Sequence, residues 1–218
     1  MWTEIKTLLL DILFPKFCLN CSREGDYLCD DCQALLEISG FHQKYGTANL
    51  KDLYFPLSYQ NPLIQNLIQK FKYEPLIKEL TKTLSSLIIA HFQLLDNKPD
   101  LTDFVLIPVP LSRKKLKWRG FNQAAEIGRE LAQFFNLPLI SGGLIKIKET
   151  VAQVDLADEE RRENVKDAFR VQNKEVVINK KIILVDDVYT TGSTMEECAR
   201  ILREAGALEI IGVVVARG

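Results

Sequence analysis

Four apolar residues, Ile182-Ile183-Leu184-Val185, are followed at once by Asp186-Asp187 and then by Val188-Tyr189-Thr190-Thr191-Gly192-Ser193-Thr194. Few folds accommodate that order. An apolar run without alternation marks a strand buried on both faces, as in a parallel sheet covered by helices. Two acids stand where such a strand ends. A hydroxyl-rich turn then opens a helix that is expected from about Met195 to Ala205. Strand, acid pair and turn together make a site for a sugar phosphate. Backbone N–H groups of the turn and the helix dipole favour a phosphate dianion, and the Thr and Ser hydroxyls add donors. Carboxylates repel phosphate, so Asp186 and Asp187 suit vicinal ribose hydroxyls or Mg²⁺ instead. A turn that only caps a helix needs one Ser, Thr or Asp, whereas here two acids and four hydroxyl residues surround a single glycine.

This stretch resembles the phosphoribosyl diphosphate (PRPP) loop of type I phosphoribosyltransferases. In that pattern two acids, two variable positions and Thr-Thr-Gly-x-Thr follow an apolar strand. The resemblance implies PRPP binding by Thr190, Thr191, Gly192, Ser193 and Thr194, with Asp186 and Asp187 as the catalytic pair. Tyr189 stands where the pattern more often has an aliphatic residue.

At 218 residues the chain has room for one moderate domain and a small appendage. An apolar fraction of 47% and a charged fraction of 26% are those of an ordinary globular protein. A formal net charge of −1 provides no global basic field toward nucleic acid. Glu4, Lys6 and Asp11 interrupt the N-terminal apolar residues, unlike a signal peptide. No apolar run approaches the ~20 residues of a membrane span. A cytoplasmic protein without membrane insertion is expected.

Cys18-x-x-Cys21 and Cys29-x-x-Cys32 form a doublet separated by seven residues, with Gly25 available for the turn. Two such pairs can close a tetrahedron of thiolates around a structural Zn²⁺. Disulfides are the other outcome of this spacing, and a reducing cytosol disfavours them. Cys198, inside the helix after the phosphate turn, reads as an ordinary buried thiol.

Helical spacing of Trp2, Ile5, Leu8, Leu9, Ile12 and Leu13 predicts an amphipathic N-terminal helix ended by Phe14-Pro15. The cysteine segment runs to about residue 38, and polar residues 40–49 read as a linker. The division expected is 1–45 for helix plus zinc module and 46–218 for the main domain. Within the latter, strands are expected at 51–59, 104–109, 144–147 and 210–215, besides the one before Asp186. Helices are expected at about 63–71, 76–95 and 121–136, with Ala124, Ala125, Leu131 and Phe135 facing inward. Residues 158–165 read as a loop or short surface helix. Strands alternating with helices argue for an α/β fold with a parallel sheet.

Ligands of an open α/β sheet gather at the carboxyl ends of its strands. The strand at 104–109 leads there into Arg113-Lys114-Lys115-Leu116-Lys117-Trp118-Arg119, expected as a cationic loop. Five of its seven residues are basic. Arg113, Lys115 and Arg119 are candidates for a diphosphate leaving group, whose charge grows during displacement. A solvated loop, or a nucleic-acid patch with Trp118 stacking on a base, are the alternatives.

Arg119-Gly120-Phe121-Asn122-Gln123, the paired cysteines, and the segment Lys148-Glu149-Thr150 to Phe169 are together similar to the ComF (competence protein F-like) family. That family joins an N-terminal zinc module to a type I phosphoribosyltransferase-like parallel sheet flanked by helices. The family pattern more often has arginine at Lys148 and glycine at Pro75. The segment also resembles the mobile loop of amidophosphoribosyltransferases, which implies a lid over PRPP with Lys148, Thr150, Gln153 and Arg161. Such a lid would exclude water from an oxocarbenium-like transition state. From charge alone, the same segment reads as a surface helix with ion pairs.

With only His42 and His91 present, no Ser-His-Asp set is credible. No Walker-type phosphate loop occurs, and no glutaminase-like segment is present, so amidotransfer is not expected. Two functions stay open on the sequence. One is phosphoribosyl transfer from Mg-PRPP to an unknown acceptor. The other, implied by the ComF resemblance, is non-catalytic handling of single-stranded DNA beside the competence machinery during natural transformation.

Overall fold

The computed structural model describes residues 15–44, 49–149 and 158–218. In it the apolar run forms strand β7 (Lys181–Val185), whose neighbours on either side are β4 (Phe104–Pro108) and β9 (Glu209–Val213). β2 (Asp52–Tyr54) continues the parallel sheet beyond β9, and β1 (Gln43–Lys44) closes that edge antiparallel. Residues 43–44, expected as linker, are therefore part of the sheet.

Period-two side-chain alternation explains how both faces of β7 are buried. Ile183 and Val185 join Phe104 and Leu106 of β4 in one core. Ile182 and Leu184 join Val105 and Ile107 in the other. Helices α2 (Pro62–Lys72), α3 (Leu80–Leu94) and α5 (Gln123–Phe135) cover the first face. Helix α7 (Ser193–Glu204) and the antiparallel pair β5 (Leu144–Lys146) and β6 (Phe169–Val171) cover the second. Gly212 lets α7 settle on the sheet. A Cβ there would lie 2.6 Å from Met195 Sδ and 2.9 Å from Leu53 Cδ1.

Local chemistry sets the helix limits. Asn61 caps α2 by accepting from the N–H groups of Leu63 and Ile64, with Pro62 in the first turn. The periodic residues Ile64, Leu67, Ile68 and Phe71 are fully buried on its inner stripe. Asn122 caps α5 through Ala124 N–H, and a left-handed Asn136 ends it. On α5 Ala124 and Leu131 are buried as expected, while Ala125 and Phe135 are half-buried.

Several expected spans change. The strand at 51–59 divides into β2 and β3 (Leu57–Ser58), and the terminal one into β9 and β10 (Ala216–Arg217). Parallel pairing of β10 with β3 and with β8 (Val188–Tyr189) makes a second, three-stranded layer beside the Thr190–Thr194 turn. The helix expected from residue 76 starts at Leu80.

The segment Arg113–Arg119 is a helix, α4, and not a loop. Ser112 caps it by accepting from Lys115 N–H, and Gly120 ends it at φ 75°. Residues Asp158–Val165 form a surface helix, α6. The amphipathic helix expected at 2–13 lies outside the described residues.

The cysteine segment is continuous with the main core. Cys18, Leu28, Cys32 and Leu36 pack into the cluster built by α2 and α3. Asn66 of α2 donates through Nδ2 to the carbonyl of Leu19 at 3.0 Å. Among the described residues, no helix is long and apolar enough to cross a membrane.

Candidate functional site

Two tight turns bring the paired cysteines together. Ser22, at φ 61°, donates its N–H to the Cys18 carbonyl, and Gly25, at φ 133°, donates to Lys16. Cys29 is the N-cap of α1 (Asp30–Ala34), on which Cys32 lies one turn along. All four sulfurs fall within 4.8 Å of one another. Tetrahedral Zn–S bonds of ~2.3 Å put sulfurs ~3.8 Å apart, so the set fits a metal ion such as zinc. None of the four is in a disulfide. Burial raises the Cys18 thiol, yet the N–H groups of Cys21, Cys29 and Asn20 bring it down to about 6. The Asn20 amide favours the Cys32 thiolate, but burial and the other three thiols push it up to about 12. A bound divalent cation favours the thiolate at every one of these positions.

The second site is a cleft of about 410 Å³ at the carboxyl ends of β4 and β7. It brings Asp186, Asp187 and the whole Thr190–Thr194 turn together with Lys115 and Arg119. Gly192 is the N-cap of α7, with φ 78° and no side chain to offer its first turn. A Cβ at Gly192 would overlap the Tyr189 ring and hydroxyl. The turn therefore needs glycine for space as well as for backbone angle, and Tyr189 is what makes the space tight. Within the turn the Thr191 and Ser193 hydroxyls lie 2.9 Å apart.

The acid pair faces a cation that the sequence did not reveal. Lys72 Nζ lies 2.8 Å from Asp187 Oδ1, with side chains 22% and 8% exposed. Although burial lowers the Lys72 ammonium, Asp187 more than offsets it and raises it overall. Asp187 N–H donates to Asp186 Oδ1 at 2.8 Å. Burial and the Asp187 charge push the Asp186 carboxyl up to about 7 against the pull of Lys72.

Three more cations line the cleft besides Lys72. Lys115 and Lys146 both line the cleft, and burial lowers each ammonium. Arg119 and Lys72 depress Lys115 further, and Lys115 does the same to Lys146. Arg119 is buried, with its guanidinium carbon 5.3 Å from the Tyr73 ring centroid and 5.9 Å from that of Trp118. Its Nη1 donates to Gln123 Oε1 at 3.0 Å. Gln123 Nε2 in turn donates to the Phe71 carbonyl at 2.9 Å, one residue before Lys72.

The Arg119-Gly-Phe-Asn-Gln123 motif is thus a single device. Gly120 turns the chain, Phe121 packs on Phe71 and Asn122 caps α5 while donating to the Val109 carbonyl. Gln123 fixes Arg119 in the wall.

Two other expected site residues, Arg113 and Lys148, are not among the residues lining the cleft. Arg113 is exposed at the start of α4, and exposed Lys148 donates to the Lys166 carbonyl. Thr150 and Gln153 lie outside the described residues, and Arg161 falls on α6. Lys72 and Lys146 went unread, though each left a trace. Lys72 follows Ile64 and Ile68 at four-residue steps on an apolar stripe, and Lys146 follows Leu144 on the inward side of β5.

Residues 119–218 match the family model described as the phosphoribosyl transferase domain. Competence protein F of Haemophilus influenzae is 30% identical over 199 residues, covering 90% of this chain and 82% of that protein. The chain belongs to the competence protein F family.

Two further relatives of this ComF chain align over about half of it. DNA utilization protein YhgH of Escherichia coli O157:H7 is 34% identical over 48% of this chain and 45% of its own length. Competence protein ComFC of Bacillus subtilis is 33% identical over 47% of this chain and 40% of its own. Among solved structures, the glutamine PRPP amidotransferase of B. subtilis complexed with ADP and GMP is 21% identical. Its TM-score is 0.38, over 63% of this chain and 25% of that one.

Proposed function

We propose that the cleft of this ComF chain binds PRPP and transfers its phosphoribosyl group in the cytoplasm. The 5-phosphate rests on the Thr190–Thr194 turn and the ribose hydroxyls meet Asp186 and Asp187. The diphosphate meets Lys115 and Arg119, with Arg113 at the outer end of α4. An acceptor nucleophile forms the new bond at C1 of the ribose, and the diphosphate leaves with the electron pair of the broken C–O bond. The segment containing Lys148, Thr150, Gln153 and Arg161 acts as the lid. Cys18, Cys21, Cys29 and Cys32 hold a structural zinc.

One observation carries this reading. A single cleft is lined by the Thr190–Thr194 turn, by the cations Lys72, Lys115, Arg119 and Lys146, and by Asp186 and Asp187. A sugar with phosphate groups at two positions matches that set. The donor set also fits Mg²⁺ arriving with the ligand's phosphates, which needs only one or two protein carboxylates. Here Asp187 already contacts Lys72, so most of the coordination would come from the diphosphate. Changing Asp186 and Asp187 together to Asn should lower PRPP affinity about tenfold or more, ~1.4 kcal/mol, by calorimetry. Unchanged affinity would remove this loop as the ribose site.

A second reading, single-stranded DNA handling, draws on Trp118. That indole is half exposed on basic α4, and relatives of the chain are named for competence and DNA utilization. Under this reading oligonucleotide affinity falls steeply with salt, with a log–log slope of about −0.7 per neutralised phosphate. Trp118→Ala then weakens oligonucleotide binding by ~1–3 kcal/mol. Charge removal on α4 is expected to harm diphosphate binding more than DNA binding, because Lys115 and Arg119 face the cleft. Loss of DNA binding alone would favour the DNA reading.

A further inference from the structure

Lys72 comes from a helix far upstream of the phosphate turn, and the apolar stripe of α2 carries it into the cleft. An ammonium on such a stripe is costly to bury unless a carboxylate meets it. Asp187 does so at 2.8 Å, on a strand end whose backbone is pinned by Val215 N–H donating to the Asp187 carbonyl. The contact lies in the lining of the ligand cleft, where a purely structural pair has no reason to sit.

Its electrostatic consequence follows from the other charges there. Two adjacent carboxylates would repel an incoming phosphate, and a divalent cation is the usual remedy. In this cleft the charged lining residues are Lys72, Lys115, Arg119 and Lys146 against Asp186 and Asp187. Even with Glu149 acting on Lys115 and Lys146 from outside the lining, the four cations outnumber the carboxylates, and neighbouring cations depress both of those lysines. A further dication at the acid pair would add to that repulsion, whereas an anion is drawn in as the cleft stands.

We propose that Lys72 is the resident counter-ion of the acid pair, so that the ribose 5-phosphate half of the ligand binds without a divalent cation. Mg²⁺ then accompanies the diphosphate and not the carboxylates. This inference rests on the sugar-phosphate reading of the cleft. Lys72 acts here as a positioning residue: it holds Asp187 in place for the ribose hydroxyls and cancels its charge toward the phosphate.

Calorimetry of the full chain with ribose 5-phosphate, in EDTA and again with Mg²⁺, tests it. The unaltered chain should bind with affinities within about threefold of each other. Lys72→Met should lose about tenfold or more in EDTA and regain affinity with Mg²⁺, while Lys72→Arg should stay close to the parent. Should Lys72→Met fail to fold, Lys72→Met with Asp187→Asn removes both buried charges and should bind equally with and without Mg²⁺. A tenfold Mg²⁺ requirement in the unaltered chain, or equal binding by Lys72→Met in both conditions, overturns the counter-ion role and leaves the cleft reading intact. No binding of ribose 5-phosphate in either condition overturns both.

Discussion

The cysteine cluster and the cleft gather ionisable groups in opposite ways. Fourteen residues from Lys16 to Cys29 and one helical turn supply every sulfur of the cluster, through local hydrogen bonds and two positive-φ turns. The cleft draws on α2, α4, β5, the β7–α7 turn and the second small sheet, which span most of the chain. In the first, four thiols that cannot all ionise together without a cation are pressed within 4.8 Å of one another. In the second, charges of both signs line one cavity: Lys72 faces Asp187, and Arg119 is held by the neutral amide of Gln123. The cluster is thus closed by neighbours along the chain, whereas the cleft is closed only by tertiary contacts.

That contrast can be broken most visibly at the cluster. About one zinc per chain is expected from metal analysis, and Cys29→Ser should abolish it and loosen the N-terminal segment. Full metal content in that variant would end the assignment. Because the cluster packs on α2, its loss should also be felt as weaker ligand binding at the cleft, since Asn66 and Lys72 share that helix.

The support of the cationic wall is the next target. Gln123→Ala leaves the Phe71 carbonyl without its amide donor and Arg119 without its anchor. Stability should drop by ~1–3 kcal/mol. Affinity for PRPP should fall about tenfold, while affinity for ribose 5-phosphate changes by less than about threefold. An equal loss for both ligands would show that Gln123 merely supports the fold.

A further effect concerns pH. In the folded chain Asp186 keeps its proton up to about 7, whereas an unfolded Asp titrates near ~3.9. Its contribution to stability is present below the unfolded value and is lost as pH rises through the folded one. Urea unfolding should therefore show stability declining between about pH 4 and pH 7, by an amount that Asp186→Asn removes. An identical decline in that variant would place the titrating group elsewhere.

Much of this was legible before any fold was known, and the reasons differ by residue. The β7 run, the acid pair and the Gly192 turn are consecutive, so chain order alone assembles them. The basic stretch after β4 was read correctly for charge and position but wrongly for shape. Ser112 and Gly120 cap it at both ends, and those caps are local signals that its density of charge obscured. Residues 43–44 looked like linker because a two-residue edge strand is too short to show any period.

By itself the sequence determined the features that depend on neighbours along the chain. These are the grouping of the cysteine doublet, the acid pair with its Gly192 turn, and the α/β alternation that sets a strand end beneath it. Only the tertiary structure decided which charges meet. Parallel crossovers carry α2, α5 and β5 to one sheet edge, and there Lys72 finds Asp187, Gln123 holds Arg119 and Lys146 joins Lys115. Partners this far apart have no fixed spacing to read. Their pairing follows from burial, because a charge or amide carried inside by an apolar stripe must find an opposite group there or forfeit its place in the core.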